Sequence, residues 1–196
     1  MTEPQSVSLS SSTPQYTQVA SALHWLIALL VVLNLGTGLT FRNFEPAVLR
    51  QILLVHRSTG LIILALVAIR VIWRLSHAPP AFSRQLPYIE RAAAVAVHAG
   101  LYGAMAIVPL SGWTTASAAA AQSGQSLSWF GLPFPLLPLA ALSEDQLENL
   151  KNIAAYVHLY SAWVFIGLLT VHIAAVAKHI FYDHDAILRR IAIFRR

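Results

Sequence analysis

Histidine is the residue type in this chain with the clearest potential for chemistry. The sequence has 196 residues and eight histidines, and several of them lie inside long apolar stretches. A titratable ring in such a stretch is costly and marks a functional position. The absence of cysteine excludes disulfides, thiolate-bound zinc, cysteine-ligated iron–sulfur clusters and the C-x-x-C-H attachment of a c-type haem. Any bound metal must therefore use other ligands.

Four of the histidines fall into two pairs by depth. His158 and His172 are fourteen residues apart in one apolar run, so on a helix they share a face and are separated by about 21 Å along the axis. His24 follows the start of the first run, and His56 follows the start of the second run, which crosses in the opposite direction. We therefore expect His24 to lie level with His172, and His56 level with His158.

A level pair of imidazoles suits one kind of ligand especially well. Facing histidines of a helical bundle can hold the iron of a flat haem macrocycle from both sides. Two axial histidines leave no open position on the iron, which favours electron transfer over oxygen binding. Zinc fits less well, because two histidines without a carboxylate or thiolate make an incomplete tetrahedral site. The alternative that these histidines only bond neighbouring backbone stays open.

The composition indicates that membrane helices position these residues. The chain is 57% hydrophobic and 11% charged, against about 25% charged residues in soluble domains. Four apolar runs are long enough for helices that cross a bilayer, which needs about 20 residues. We predict an all-α, integral membrane four-helix bundle in one domain, residues 18–184, between a polar N-terminal tail, 1–17, and a basic tail, 185–196. The predicted spans are residues 19–41, 52–75, 90–115 and 149–181.

Basic residues predict the orientation of this bundle. With four spans, both termini and the second loop lie on one side of the membrane. That side collects nine of the thirteen Lys and Arg residues: Arg70, Arg74, Arg84, Arg91, Lys178, Arg189, Arg190, Arg195 and Arg196. The positive-inside rule then places both termini in the cytoplasm. The net charge of +5 is explained by topology, so we expect no nucleic-acid partner.

Four further residues are candidates for contacts to a bound haem. Arg70 and Arg74 are one helical turn apart at the cytoplasmic end of the second span, where a guanidinium can pair with a haem propionate. Arg57, beside His56, is the candidate for the other side of the membrane. His98 lies in the cytoplasmic half of the third span and can serve a propionate, a quinone pocket or simply a neighbouring carbonyl.

The chain resembles a known family, the bacterial cytochrome b561 family, which is related to the cytochrome b subunits of nickel-iron hydrogenases. The resemblance extends from about residue 16 to residue 190. It rests on ALHWL around His24, HRSTGLIILALVAIRVIWRLSHAPP from His56, HAGLYGAMAIVPLSGW from His98, the FGLPFP loop, and HLYSAWVFIGLLTVHIAAVAKHIFYDHDAILRR from His158.

This resemblance implies a cofactor set and a class of partner. It implies two non-covalent b haems, with His24 and His172 as axial ligands of one iron and His56 and His158 as ligands of the other. It also implies quinone as substrate, because the family is associated with quinone chemistry. One activity found within it is the oxidation of superoxide coupled to reduction of ubiquinone. Membrane lipid and a soluble redox protein are the remaining candidate partners.

Two other functions remain open at this point. The first is a haem-containing membrane anchor subunit that passes electrons from a soluble dehydrogenase or hydrogenase to quinone. The second is a haem-free transport or structural membrane protein. The apolar runs contain no paired carboxylates suited to proton coupling, which weakens the transport alternative.

Overall fold

Four long helices form the body of the protein. The computed structural model describes residues 15–40, 44–81, 87–184 and 187–193. Within these residues, four helices are long and apolar enough to cross a membrane, which confirms the predicted all-α membrane architecture. The elements are α1 (Gln18–Thr40), α2 (Pro46–Ser76), α3 (Tyr88–Ser123), β1 (Ser128–Trp129), β2 (Leu132–Pro133), α4 (Glu144–Phe181) and α5 (Ile187–Arg190).

Three of the helices extend beyond the apolar runs seen in the sequence. Pro46 opens α2, and proline suits the first turn of a helix because its missing N–H has no partner there. The alanine-rich segment 116–121 continues α3 to Ser123, since alanine has the highest helix propensity. Helix α4 begins after Ser143, whose side chain forms a capping box with Gln146. Apolar runs therefore mark the part within the hydrocarbon and not the helix ends.

The helices pack around a narrow apolar core and leave most apolar side chains outside. The most extensive contact is between α3 and α4, followed by α1 with α2 and then α2 with α3. The core consists of Ile27, Val31, Ile63, Val67, Leu101, Ala104 and Phe165. In contrast, Val32 is 64% exposed and Ile72 is 67% exposed. Lipid chains are as apolar as these residues, so a lipid-facing surface explains the exposure.

At one end of the bundle, here called the termini end, the first and last residues that the structure describes lie together. The backbone N–H of Tyr16 donates to the carbonyl of Arg190 at 2.9 Å, and the indole N–H of Trp25 donates to the carbonyl of Ile191 at 3.1 Å. These bonds hold α5 and the residues after it against the start of α1.

An ion-pair group joins α3 to α4 at the same end. Lys178 Nζ lies 3.1 Å from an oxygen of Glu90 and 2.8 Å from an oxygen of Asp183. The hydrogen bond from Lys178 holds the pKa of the Asp183 carboxyl below its usual value. These charges lie where the bundle meets water, which is where paired charges cost least.

The opposite end, here called the hairpin end, is covered by the segment between α3 and α4. Strands β1 and β2 form a small antiparallel hairpin whose two turn residues, Phe130 and Gly131, both have positive φ, as a tight hairpin turn requires. Trp129 donates its indole N–H to the carbonyl of Ser58 at 3.4 Å, and Phe134 is buried. The segment is therefore fixed onto α2 and α3.

Candidate functional site

The first histidine pair lies near the hairpin end. His56 of α2 and His158 of α4 have ring centres 6.0 Å apart, with ring planes at 81°. Their side chains are partly buried between the helices. The structure thus brings together the two residues that the sequence placed at this depth.

Hydrogen bonds fix both rings of this hairpin-end pair through Nδ1. His56 Nδ1 lies 3.1 Å from the carbonyl oxygen of Asn34 and 3.1 Å from the hydroxyl of Thr37. His158 Nδ1 donates to the carbonyl of Val108 at 2.8 Å. A carbonyl can only accept, so the hydrogen of each ring is on Nδ1. Each ring therefore offers Nε2 to a ligand, the arrangement typical of metal-bound histidine.

A glycine lies against each of these two rings. A Cβ atom added to Gly112 would lie 2.9 Å from Cε1 and 3.0 Å from Nδ1 of His158, and one added to Gly38 would lie 3.0 Å from Cε1 of His56. Ordinary van der Waals contact begins at about 3.5 Å. Both positions therefore need glycine so that the imidazole can lie directly on a neighbouring helix.

The second pair lies near the termini end. His24 of α1 and His172 of α4 have ring centres 6.4 Å apart, with planes at 80°. His98 of α3 joins them, with its ring centre 5.4 Å from that of His172. His98 Nδ1 donates to the carbonyl of Ala94 at 2.6 Å, so the simplest of the expected roles for His98, a bond to a nearby carbonyl, is observed.

The geometry of both pairs fits a bis-histidine haem iron. A metal–imidazole bond is about 2.0–2.1 Å and the ring centre lies about 1.1 Å beyond the nitrogen, so two rings on opposite sides of one ion have centres about 6.3 Å apart. The observed separations are 6.0 and 6.4 Å. Neutral imidazole is also a usual axial ligand of haem. Separation and donor chemistry therefore both match.

His179, seven residues after His172 on α4, lies beside a carboxylate. His179 Nδ1 lies 3.0 Å from Asp183, one helical turn further along the chain. Glu90, His179 and Asp183 have ligand atoms within 4.8 Å of one another. Lys178 lies between the two carboxylates, so a cation already balances their charge.

The two arginines near the termini end are held by protein groups. Arg70 donates from Nε to the hydroxyl of Tyr102 at 2.9 Å and from Nη1 to the carbonyl of Ala20 at 2.8 Å. The guanidinium carbon of Arg74 lies 5.8 Å from the centre of the Tyr102 ring, a cation–π distance. Both line a surface cavity together with Tyr16, Ala20, Trp73, His77, Pro79 and Tyr102.

Three buried polar atoms next to the histidine pairs have no hydrogen-bond partner within the described residues. They are Nε of Arg57, Oγ of Ser58 and Oγ of Ser21. Ser21 and Ser58 are fully buried, and a buried hydroxyl without a partner calls for a group to bind. Sequence reasoning singled out Arg57 but missed both serines. The sequence feature that could have identified them is a serine within three residues of a candidate histidine ligand in an apolar run.

The protein is thus a bundle of four membrane helices with two histidine pairs at two depths. This arrangement is typical of membrane b-type cytochromes. The chain belongs to the prokaryotic cytochrome b561 family, which matches residues 15–192. It is also similar to cytochrome b561 homolog 2 of Escherichia coli (strain K12), with 26% identity over 189 residues, 94% of each chain. The family resemblance seen in the sequence is confirmed.

Family membership establishes the general activity. The chain is a membrane electron-transfer cytochrome, from a family that binds haem b and is linked to quinone. The haem-free alternative is thereby removed.

Proposed function

We propose that the chain binds two haem b groups and carries single electrons between the two faces of the membrane. His24 and His172 hold one iron, and His56 and His158 hold the other. The observation that carries this proposal is the pair of ring separations, 6.4 and 6.0 Å, found at two depths on three helices, with α4 contributing one histidine to each pair. One pair alone would serve a single buried haem and would not span the bilayer.

The ligand chemistry supports electron transfer in preference to oxygen chemistry. Haem bound between two imidazoles changes between ferric and ferrous iron without an open position for a substrate. The role of the protein is to fix the rings, exclude water and set the potential. The two histidines of α4 lie about 21 Å apart by helix rise, and a macrocycle at each site shortens the distance that the electron must cross.

Charged and polar residues at each end suit the propionates of these haems. At the hairpin end, Arg57 Nε and Ser58 Oγ are buried and unpartnered within the described residues. At the termini end, we propose Arg70 and Arg74 for this role, with His98 as a further candidate. Arg70 uses Nε and Nη1 for protein contacts and has Nη2 left to pair with an anion.

We further propose the quinone pool as redox partner and the bacterial inner membrane as location, with both termini cytoplasmic. A quinone accepts electrons one at a time and lies in the same membrane, and the family is quinone-linked. Superoxide is the small one-electron donor to examine beside it.

A reduced-minus-oxidised visible spectrum of the detergent-purified protein, with a pyridine haemochrome assay, tests the proposal. We expect two b haems per chain and their reduction on addition of ubiquinol. For alanine variants of the four paired histidines, His77→Ala is the matched control. His77 is exposed and belongs to neither pair, and its ring stacks on that of Trp73 with ring centres 4.0 Å apart. A single haem per chain, or haems that ubiquinol leaves oxidised, would contradict the proposal.

A further inference from the structure

Helices α1 and α3 present the same local arrangement to the two histidines of the hairpin-end pair. Each offers a backbone carbonyl that accepts from Nδ1, a hydroxyl residue three positions later that donates to the same carbonyl, and a glycine four positions later that makes room for the ring. We call each arrangement a hydroxyl–glycine cradle. The residues are Asn34, Thr37 and Gly38 for His56, and Val108, Ser111 and Gly112 for His158.

The cradle on α1 gives His56 two acceptors. The hydroxyl of Thr37 donates to the carbonyl of Asn34 at 2.8 Å, so its lone pairs are free to accept from His56. His56 Nδ1 lies 3.1 Å from both oxygens. Thr59 of α2 donates to Oδ1 of Asn34 at 2.8 Å, which fixes Asn34 from the other helix.

The cradle on α3 gives His158 one acceptor, shared with Ser111. Ser111 donates to the carbonyl of Val108 at 2.9 Å and to that of Ile107 at 2.7 Å. His158 donates to the Val108 carbonyl at 2.8 Å. Ser111 and His158 thus share this oxygen, which has two lone pairs, whereas Thr37 also accepts from His56 directly.

The termini-end pair lacks this arrangement. Among the residues that the structure describes, neither ring of His24 or His172 makes a hydrogen bond, and the glycines that contact a histidine ring contact only His56 and His158. At the termini end, Arg70 lies within electrostatic range of His24, and both Arg70 and Arg74 lie within range of His98, whose ring contacts that of His172. Among the described residues, Arg57 is the arginine in the corresponding position at the hairpin end.

Both differences act on the reduction potential in the same direction. A hydrogen bond from Nδ1 makes the imidazole a stronger donor to the metal, which favours ferric iron and lowers the potential. Nearby positive charge favours the added electron and raises the potential. The hairpin-end site has more hydrogen bonds from Nδ1 and fewer nearby arginines, so both effects favour a lower potential there.

We propose that Asn34 and Thr37 are positioning residues that hold the hairpin-end haem at a lower potential than the termini-end haem. An electron shared between the sites then rests mainly at the termini end. With both haems bound, transfer of one electron would oxidise the hairpin-end iron from ferrous to ferric and reduce the termini-end iron from ferric to ferrous. This inference deepens the proposed function and rests on it.

Redox titration of the visible spectrum of full-length Thr37→Val tests the inference. The wild type should titrate in two one-electron steps. Their potentials should differ by about 59 mV or more, which corresponds to a tenfold difference in the equilibrium constant. Thr37→Val removes one acceptor of His56, so only the potential of the lower-potential step should rise. The rise should correspond to a change of roughly threefold or more in the equilibrium constant of that step. Thr37→Ser keeps the hydroxyl and should restore the wild-type value. Thr40→Val is the matched control, since Thr40 bonds only the Gly36 carbonyl of its own helix.

Ser111→Ala is a comparison that does not touch His56. Ser111 shares the Val108 carbonyl with His158 but does not accept from its ring, so this variant should leave both steps in place. Movement of the higher-potential step, or no movement in Thr37→Val, overturns the inference. Its failure differs from failure of the proposed function, because the haem count is measured first: two haems with insensitive potentials reject only this inference.

Discussion

The orientation of His158 depends on a residue of another helix that has no side chain. Gly112 of α3 lies under the imidazole, and the Val108 carbonyl accepts from Nδ1. Since metal binding needs the remaining nitrogen in one direction, the backbone of α3 sets the ligand geometry of α4. Gly38 of α1 plays the same part for His56 of α2.

Gly112→Ala should remove most haem from the hairpin-end site. The new Cβ would lie 2.9 Å from Cε1 of His158, a distance that forces the ring to move. We expect the pyridine haemochrome value to fall from two haems per chain toward one. Gly103→Ala on the same helix is the control, because a Cβ there meets nothing within 4 Å. Full haem content in Gly112→Ala would show that the ring is not seated on this glycine.

Gly38→Ala should have the same effect but a weaker one. Its Cβ would lie 3.0 Å from Cε1 of His56 and 3.5 Å from Nδ1, whereas the second contact at Gly112 is 3.0 Å. We therefore expect partial haem loss, measured at the same expression level as Gly36→Ala, where a Cβ meets nothing within 4 Å. A greater loss in Gly38→Ala than in Gly112→Ala would contradict this ranking.

The sequence predicted which histidines share a depth but not what holds their rings. Depth follows from helix rise and span direction, which the sequence contains. The contacts of His56 with Asn34 and Thr37 depend on how α1 is rotated against α2, and this rotation is set by packing. The sequence contains the dipeptides Thr37-Gly38 and Ser111-Gly112, but only the packing of the helices shows which histidine each one contacts.

At the scale of the elements, a polar bond between helices accompanies the apolar packing of α1 with α2. Thr59 donates to Asn34 Oδ1 at 2.8 Å, and Thr59 is nearly buried. In a membrane the apolar surfaces of two helices gain little from avoiding lipid, so such bonds and close packing have more weight.

Thr59→Val should therefore destabilise the bundle by about 0.6 kcal/mol, with about 1.7 kcal/mol as the upper range for one such bond. The measurement is unfolding in mixed detergent micelles with increasing sodium dodecyl sulfate, followed by circular dichroism. Thr40→Val, which breaks only a bond within α1, should change stability less. Equal effects of the two substitutions would show that the bond between the helices adds nothing.

Element ends were harder to predict than element identity. The start of α4 depends on local residues, because Ser143 precedes an acidic first turn and forms a capping box with Gln146. The extension of α3 to Ser123 was not predicted, since the hydrophobic signal ends where the helix leaves the hydrocarbon while the backbone bonds continue into the hairpin end.

At the scale of the whole molecule, the first and last residues that the structure describes lie at one end, beside a group of ion pairs. Tyr16 bonds Arg190, and the ion pairs of Lys178 lie at the same end. This grouping follows from four spans, so both termini share a side. We propose that this side faces the cytoplasm, because basic residues near membrane helices are retained there.

Reporter fusions test this orientation. A fluorescent protein joined after Arg196 should fluoresce, and alkaline phosphatase at the same point should be inactive. Fusions of the same reporters after Gln125, in the segment between α3 and α4, should behave in the opposite way. Active phosphatase at the C-terminus would reverse the orientation and assign the termini-end haem to the other face.

The central claim is that each haem is held by one histidine from each of two specific helices. Haem content of double alanine variants measures this directly, with two substitutions in every variant. His24→Ala with His172→Ala removes both ligands of one site and should leave one haem per chain. His24→Ala with His158→Ala removes one ligand from each site and should leave none. One haem retained in the second variant, or none in the first, would contradict the pairing.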